Sequence, residues 1–261
     1  MIEYSGRDKR LSFYEYDKPF NYSEINNFGV ELAKGSQVLL LNVDIKIITP
    51  QWIENLLEHS QRPEVGAVGA KLYYPNETVQ HAGIFLGLCG IAGHSHKNWP
   101  RQNPGLNNRI SVIQNVSAVT GACLMVKKEL YRKIGGMDKV FAINCNDVDF
   151  CLRLRQLGYL NVFTPYCEAY HSESKVLGYN VTVARQNVYW REVESFRQRY
   201  RKILRQGDPF YNPNLFCGNE QFQTKRWYRC NFKWQMKEIL GQKIPWFLSC
   251  YRKILKIGNN F

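Results

Sequence analysis

Val38-Leu39-Leu40-Leu41-Asn42-Val43-Asp44 is the stretch that decides the fold. Its first four residues form an unbroken apolar run, the pattern of a strand buried on both faces of a sheet. The run stops at Asn42-Val43-Asp44, and ligands of open α/β sheets gather at the carboxyl ends of strands. A carboxylate there can hold a hard divalent cation such as Mg2+ or Mn2+, which prefers oxygen ligands and diphosphates. Asn and Asp are equally the residues of an ordinary turn.

Outward from this stretch the pattern stays α/β to about Tyr170. Thr49-Pro50 reads as an N-cap followed by Pro at the first helical position, with Trp52, Ile53, Leu56 and Leu57 at helical spacing, so a helix is expected over 50–59. Val65 to Tyr73 is β-like and closes at Pro75-Asn76. Val119 to Val126 is a second apolar run, interrupted by Gly121. Lys127 to Ile134 reads as a short helix ended by Gly135-Gly136. Asn144 to Leu157 reads as a helix whose acidic residues come first and whose Arg153 and Arg155 come late, which suits the macrodipole. Leu160 to Phe163 is a strand expected to stop before Pro165. Over 182–205 a long charged helix is expected, with Val183, Val188, Tyr189, Val193, Phe196, Tyr200 and Ile203 on one side. After Asp208-Pro209 the chain turns aromatic, basic and irregular, and Trp246 to Ile257 is short and amphipathic.

The 261 residues are 44% hydrophobic and 22% charged, ordinary for a globular chain and against global disorder. No apolar run approaches the length of a membrane span, and the first residues lack the apolar core of a secretory signal, so a cytosolic chain is expected. The eight cysteines show no C-x-x-C spacing and read as reduced, mostly buried thiols. The formal net charge of +13 is uneven: residues 1–184 carry 19 basic and 17 acidic groups, residues 185–261 carry 16 and 5. Such a C-terminal third could meet nucleic acid, an anionic membrane or a phosphorylated substrate. Over 225–257, Lys and Arg mix with Trp, Tyr and Phe, which suits an anionic lipid interface; no nucleic-acid recognition motif is present, and nucleic acid is not expected as a partner.

Four further constellations could carry chemistry. Asp147 and Asp149 in Asn146-Asp147-Val148-Asp149 are paired carboxylates at a helix start, able to act as general base and substrate ligand. Capping and an Asp149–Arg153 pair at i, i+4 would explain them equally well. His171, in His171-Ser172-Glu173 after a strand-like segment, is a metal-ligand type or a plain polar loop residue. His81, His94 and His96 lie in a Gly-rich stretch without Cys at zinc spacing, so a contact to acceptor or diphosphate is favoured over zinc. Thr120-Gly121-Ala122-Cys123 offers small residues that let backbone approach a ligand closely, or simply pack.

Taken together, ordered blocks over 19–214 resemble glycosyltransferase family 2, in its rhamnosyltransferase-like branch. They are P-F-N-Y-S-E-I-N-N at 19–27, L-L-L-N-V-D at 39–44, R-P-E-V-G-A-V-G-A-K-L-Y-Y-P at 62–75, Q-H-A-G at 80–83 and A-G-H-S-H-K at 92–97. Q-N-V-S-A-V-T-G-A-C at 114–123, N-D-V-D-F-C-L-R-L-R at 146–155, Y-H-S-E-S at 170–174 and D-P-F-Y-N-P-N-L at 208–215 complete them. The resemblance implies a GT-A, Rossmann-like mixed α/β sheet flanked by helices over residues 1–180, and a basic helical and irregular extension over 181–261. It implies inverting, metal-dependent sugar transfer from a UDP- or dTDP-sugar to a glycan or lipid-linked acceptor in cell-envelope polysaccharide biosynthesis, with a peripheral contact on the inner face of the membrane. Asp44 would hold Mg2+ or Mn2+ with His171, and Asn42 would touch the donor with Thr120 and Gly121 nearby. Asp147 would be the base, with Asp149, His81, His94 and His96 on the substrate side.

The chain departs from the family at its front. Only 37 residues precede Val38, and no counterpart of the opening nucleotide-binding half is found. The expectation is therefore an N-terminally truncated domain whose first strand exposes an edge, being either a fragment of a longer gene or completed by a second polypeptide. The alternatives are an inactive remnant or a membrane-surface module built on the basic third.

Overall fold

The computed structural model describes residues 8–172 and 183–225. The expected lipid-facing segment 225–257 and the amphipathic stretch 246–257 lie outside the described residues, except Lys225.

Helix α1 (Tyr22–Leu32) begins where the Asn21 side chain accepts from the Glu24 amide. There follow β1 (Gln37–Leu41), β2 (Ile45–Ile47), α2 (Trp52–Ser60), β3 (Val65–Tyr73), β4 (Val79–His81), β5 (Ile84–Leu86) and β6 (Ala92–His94). Then come β7 (Gln114–Val116), β8 (Cys123–Lys127), α3 (Lys128–Lys133), α4 (Asn146–Gln156), β9 (Leu160–His171), α5 (Val183–Arg199) and α6 (Arg201–Gln206). Seven strands form one mixed sheet in the order β1-β8-β3-β9-β2, with β4 added to β3 and β7 to β9; β5 and β6 pair separately. Among the described strands only β3 and β9 run parallel.

Every residue of β3 is buried, as its Val-Gly-Ala-Val-Gly-Ala pattern demands of a central strand. Gly69 is there because the Val119 side chain lies against it: a Cβ at this position would come within 2.4 Å of Val119 Cβ. One face of the sheet packs Leu56 of α2 against Val65, Val68, Leu72, Met125 and Val162. The other packs Phe150 and Leu154 of α4 with Tyr131, Phe141, Val193, Phe196 and Tyr200 into the larger core.

Four expectations are corrected. The run Val38–Leu41 is a strand, but it ends the sheet; Val38 and Leu40 are buried while Leu41 is 42% exposed, so burial alternates instead of covering both faces. The helix after Thr49-Pro50 starts at Trp52 without a side-chain cap, and Thr49 Oγ1 instead accepts from the Glu168 amide at 3.1 Å. The last strand runs through Pro165 to His171. Pro165 is tolerated because β7 pairs with residues 161–163 of β9 and β2 with residues 169–171, so its missing N–H falls between the two partners. The expected single helix over 182–205 is broken at Tyr200 into α5 and α6. Among the described cysteines, all six are free and three, Cys123, Cys151 and Cys167, are buried. No described helix is long and apolar enough to cross a membrane.

Candidate functional site

The turn Asn42–Asp44 carries the chain from one end of the sheet order to the other. Asn42 N donates to Ala122 O at 2.9 Å, which seats the turn against the loop before β8. Beyond it, Ile45 pairs with His171, and Ser172 N donates to Asp44 O at 3.2 Å. Strand register therefore brings together residues 44 and 171, far apart in sequence. His171 Nε2 lies 3.2 Å from Asp44 Oδ1, both side chains being nearly buried at 11% and 12% exposure.

The tautomer of His171 follows from Gln80. Gln80 Nε2 donates to the His171 carbonyl at 3.4 Å, which leaves Gln80 Oε1 as the acceptor 2.7 Å from His171 Nδ1. Nδ1 then carries the proton, and the lone pair of a neutral ring sits on Nε2, facing Asn42 Nδ2 at 3.3 Å and the Asp44 carboxylate. A carboxylate oxygen and an imidazole lone pair this close repel unless a proton or a cation lies between them. The donor set fits a divalent cation that accepts mixed oxygen and nitrogen ligands, with Gln80 as the outer partner that orients the ring. Among the described residues no cluster of three or more His, Cys, Asp and Glu side chains could hold a metal, so the remaining ligands would be diphosphate oxygens or water.

The strip Thr120–Gly121–Ala122 joins this pair to Asp147. Gly121 N donates to Asp147 Oδ2 at 3.0 Å, and the Gly121 carbonyl accepts from Tyr22 Oη at 2.7 Å. Asp147 Oδ1 accepts the Val148 amide at 2.8 Å. Glycine at 121 gives the Tyr22 hydroxyl room, since a Cβ there would meet Tyr22 Oη at 2.9 Å. Burial pushes the Asp147 carboxyl above the usual carboxylate range, against the opposing pull of the Gly121 and Val148 amides and the Thr120 hydroxyl. A carboxylate so raised is a stronger base than one in water.

Other expected site residues go elsewhere. Asp149 is wholly buried: Oδ2 accepts Arg153 Nε at 2.8 Å, and Oδ1 accepts Arg199 Nη1 and Tyr200 Oη, each at 2.7 Å. It cannot contact a substrate, because both its oxygens are committed inside the chain. His96 is also wholly buried, with Nε2 accepting the Leu106 amide at 3.1 Å and Nδ1 against Ser95 Oγ at 2.5 Å. Burial pulls its pKa down to about 4, so it is a neutral packing residue and not a ligand contact. His81 is wholly buried too; Nε2 accepts the Gly83 and Thr120 amides at 3.3 and 3.4 Å, leaving Nδ1–H to donate to His94 Nδ1 at 3.0 Å. It supports the floor of the site from below without reaching a ligand, whereas His94 is partly exposed. Sequence reasoning missed Gln80 and Tyr22, although both lie inside the blocks 80–83 and 19–27 that carry the family resemblance.

No family model matches the chain. It is 41% identical over 225 residues to the uncharacterized protein y4gI of Sinorhizobium fredii, covering 85% of this chain and 25% of that one. It is 36% identical over 209 residues to the O-antigen biosynthesis protein RfbC of Myxococcus xanthus, covering 80% and 16%. With the N-acetylglucosaminyl-diphospho-decaprenol L-rhamnosyltransferase of Mycobacterium tuberculosis it shares 28% over 153 residues, covering 54% and 48%. The chain thus spans a quarter or less of the length of the first two. Among solved structures, the fold is similar to GalNAc-T7 with UDP, GalNAc and Mn2+ (TM-score 0.52, 12% identity, covering 86% of this chain and 45% of that one). It is also similar to the mannosyltransferase PcManGT of Pyrobaculum calidifontis with GDP-Man and Mn2+ (TM-score 0.50, 15% identity, covering 78% and 50%).

Proposed function

The chain has the GT-A fold, and from that premise we propose that it is a member of the rhamnosyltransferase-like branch of glycosyltransferase family 2 and transfers a sugar, with inversion, from a nucleotide-diphosphate donor to a glycan or lipid-linked glycan acceptor. The observation that carries this reading is the approach of Asp44 Oδ1 to His171 Nε2 at 3.2 Å.

Asp44 and His171 would hold Mg2+ or Mn2+. Bound there, the cation neutralises charge developing on the leaving diphosphate. Asn42, beside the pair, offers an amide to donor ribose or sugar. Thr120 and Gly121 form a floor that a ligand can approach closely. Asp147 takes the proton from the acceptor hydroxyl as that oxygen attacks the anomeric carbon and the bond to the diphosphate breaks. Gly121 N–H and Val148 N–H hold the two oxygens of Asp147 in place for this task. His94 stands at the acceptor side.

In this reading the nucleotide base is held by the family's opening half, carried on a longer chain or on a further polypeptide, which pairs along the edge of β1. The support is the position of β1 at the end of the sheet among the described residues, with Leu41 42% and Val43 74% exposed beside it.

Titration of the full chain with Mn2+, alone and with UDP or dTDP, tests the proposal. Mn2+ should bind, and the nucleotide should tighten it. Asp44→Asn and His171→Ala should abolish binding, while Gln80→Leu, which frees the ring, should weaken it about tenfold. Donor binding by the chain alone should be weak and should recover when the nucleotide-binding polypeptide is added. Equal Mn2+ affinity in the wild type and in Asp44→Asn would sink the reading.

A further inference from the structure

Glu192 lies on α5, in a part of the chain to which no role has been given, yet it is 0% exposed. One of its carboxylate oxygens accepts the backbone amides of Ala142 at 2.7 Å and Ile143 at 3.1 Å. The other accepts the Asn144 amide at 2.9 Å and Asn144 Nδ2 at 2.8 Å. All four donors are amide N–H groups, and three are consecutive along the backbone. Such converging amides make an anion-binding concavity, here filled by a side chain of the same chain.

The loop so gathered is the one that launches α4. It passes into Cys145, a residue with a Cβ held at φ +61°, and Asn146 Nδ2 donates back to Ile143 O at 3.1 Å. Asp147 is the next residue. From the opposite side, Tyr22 N donates to Ala142 O at 2.8 Å and Ser23 Oγ to Phe141 O at 2.7 Å. The loop is therefore clamped between α1 and α5. The same C-terminal helical region grips α4 again further along, through Arg199 and Tyr200 on Asp149. A left-handed residue with a side chain is strained and persists only where its surroundings over-determine it. The Glu192 contacts are the densest part of those surroundings.

We propose that Glu192 is a positioning residue for Asp147: by collecting the amides of residues 142–144 it fixes the angle at which α4 leaves its loop, and with it the place of the Asp147 carboxylate against Gly121. The functional side of this inference rests on Asp147 being the base; the structural side does not.

Amide hydrogen exchange on the full chain, read residue by residue, tests it. Glu192→Gln keeps one acceptor oxygen and should leave the fold intact, as shown by unchanged protection of the β3 amides. The Ala142, Ile143 and Asn144 amides should exchange faster. So should the Gly121 amide, which touches Asp147 and not Glu192, by about tenfold. Glu192→Asp, which withdraws the charge by one methylene, should reproduce the pattern in smaller measure. Faster exchange at 142–144 with Gly121 unchanged would overturn the proposal, and so would unchanged exchange at both places. In a transfer assay, turnover should fall on the order of 10- to 100-fold with little change in donor KM. The acid limb of the pH–rate profile should move as well, which a mere loss of folded protein does not cause. If the wild type transfers no sugar, exchange at Gly121 still decides what Glu192 does.

Discussion

The corner where Asp44 meets His171 and the corner where Asp149 meets Arg153 and Arg199 are built from similar ingredients: carboxylates at the ends of elements, each beside a cationic or cationisable group. They differ in satisfaction. Around Asp149 each oxygen has a donor and one cation also reaches Asp138 at 2.7 Å, with Arg153 Nη2 the atom left without a hydrogen bond. Around Asp44 two acceptors face each other with an amide beside them, an arrangement that calls for a positive charge between them. A closed network of this kind holds helices together, and an open one of the other kind can take up a ligand. Asp147 belongs with the open corner, although only one residue separates it from Asp149.

The contrast can be broken most forcefully at Asp147. Asp147→Asn keeps the shape and removes the base, so transfer should drop roughly 10²- to 10⁴-fold with unchanged circular dichroism and urea midpoint. Asp149→Ala should do the reverse: removing one partner of a buried ion pair strands Arg153 and the Tyr200 hydroxyl, while Arg199 keeps Asp138, and should cost about 3 kcal/mol in urea unfolding. Should Asp149→Ala prove as stable as wild type, the closed corner is not structural. A third measurement concerns His96. Its folded pKa, about 4, lies below the ordinary value of 6.5, so the native state binds fewer protons than the unfolded chain. The stability it preserves is full above pH 6.5 and is lost as pH falls from 6.5 toward 4. In His96→Gln the difference in unfolding free energy between pH 7 and pH 4 should shrink by on the order of 2 kcal/mol. Smallest is Gly121→Ala, whose methyl presses on Tyr22; a loss of about 1 kcal/mol is expected by urea titration, with relief in Gly121→Ala/Tyr22→Phe.

Much of this was legible along the chain, and the illegible part has a physical reason. Val65–Tyr73 reads as a buried strand because nine residues in a row avoid exposed polar types except Lys71. Asn42–Asp44 and His171 are visible as ligand types at strand ends. That His96 and Asp149 are packing groups is not visible, because what distinguishes them is a set of partners contributed by Leu106, Arg199 and Tyr200, which only folding brings near. Pro165 misleads for the same reason: whether its missing N–H matters depends on where β7 stops and β2 begins. Glu192 did leave a trace. It stands in the i, i+4 row Val188-Glu192-Phe196-Tyr200, a carboxylate in the middle of a helix face otherwise apolar or aromatic, and a charge there must have buried donors waiting for it.

Among the described residues no strand pairs with the outer side of β1, and this has a consequence for anyone who purifies the molecule. A row of unpaired backbone groups cannot tell an intended partner strand from another copy of itself. At high concentration, two such rows brought together by rotation about a twofold axis would zip antiparallel, hiding Leu41 and Val43 in the seam. Dilution, or a lysine introduced at the exposed Val43, would then be the route to a well-behaved sample.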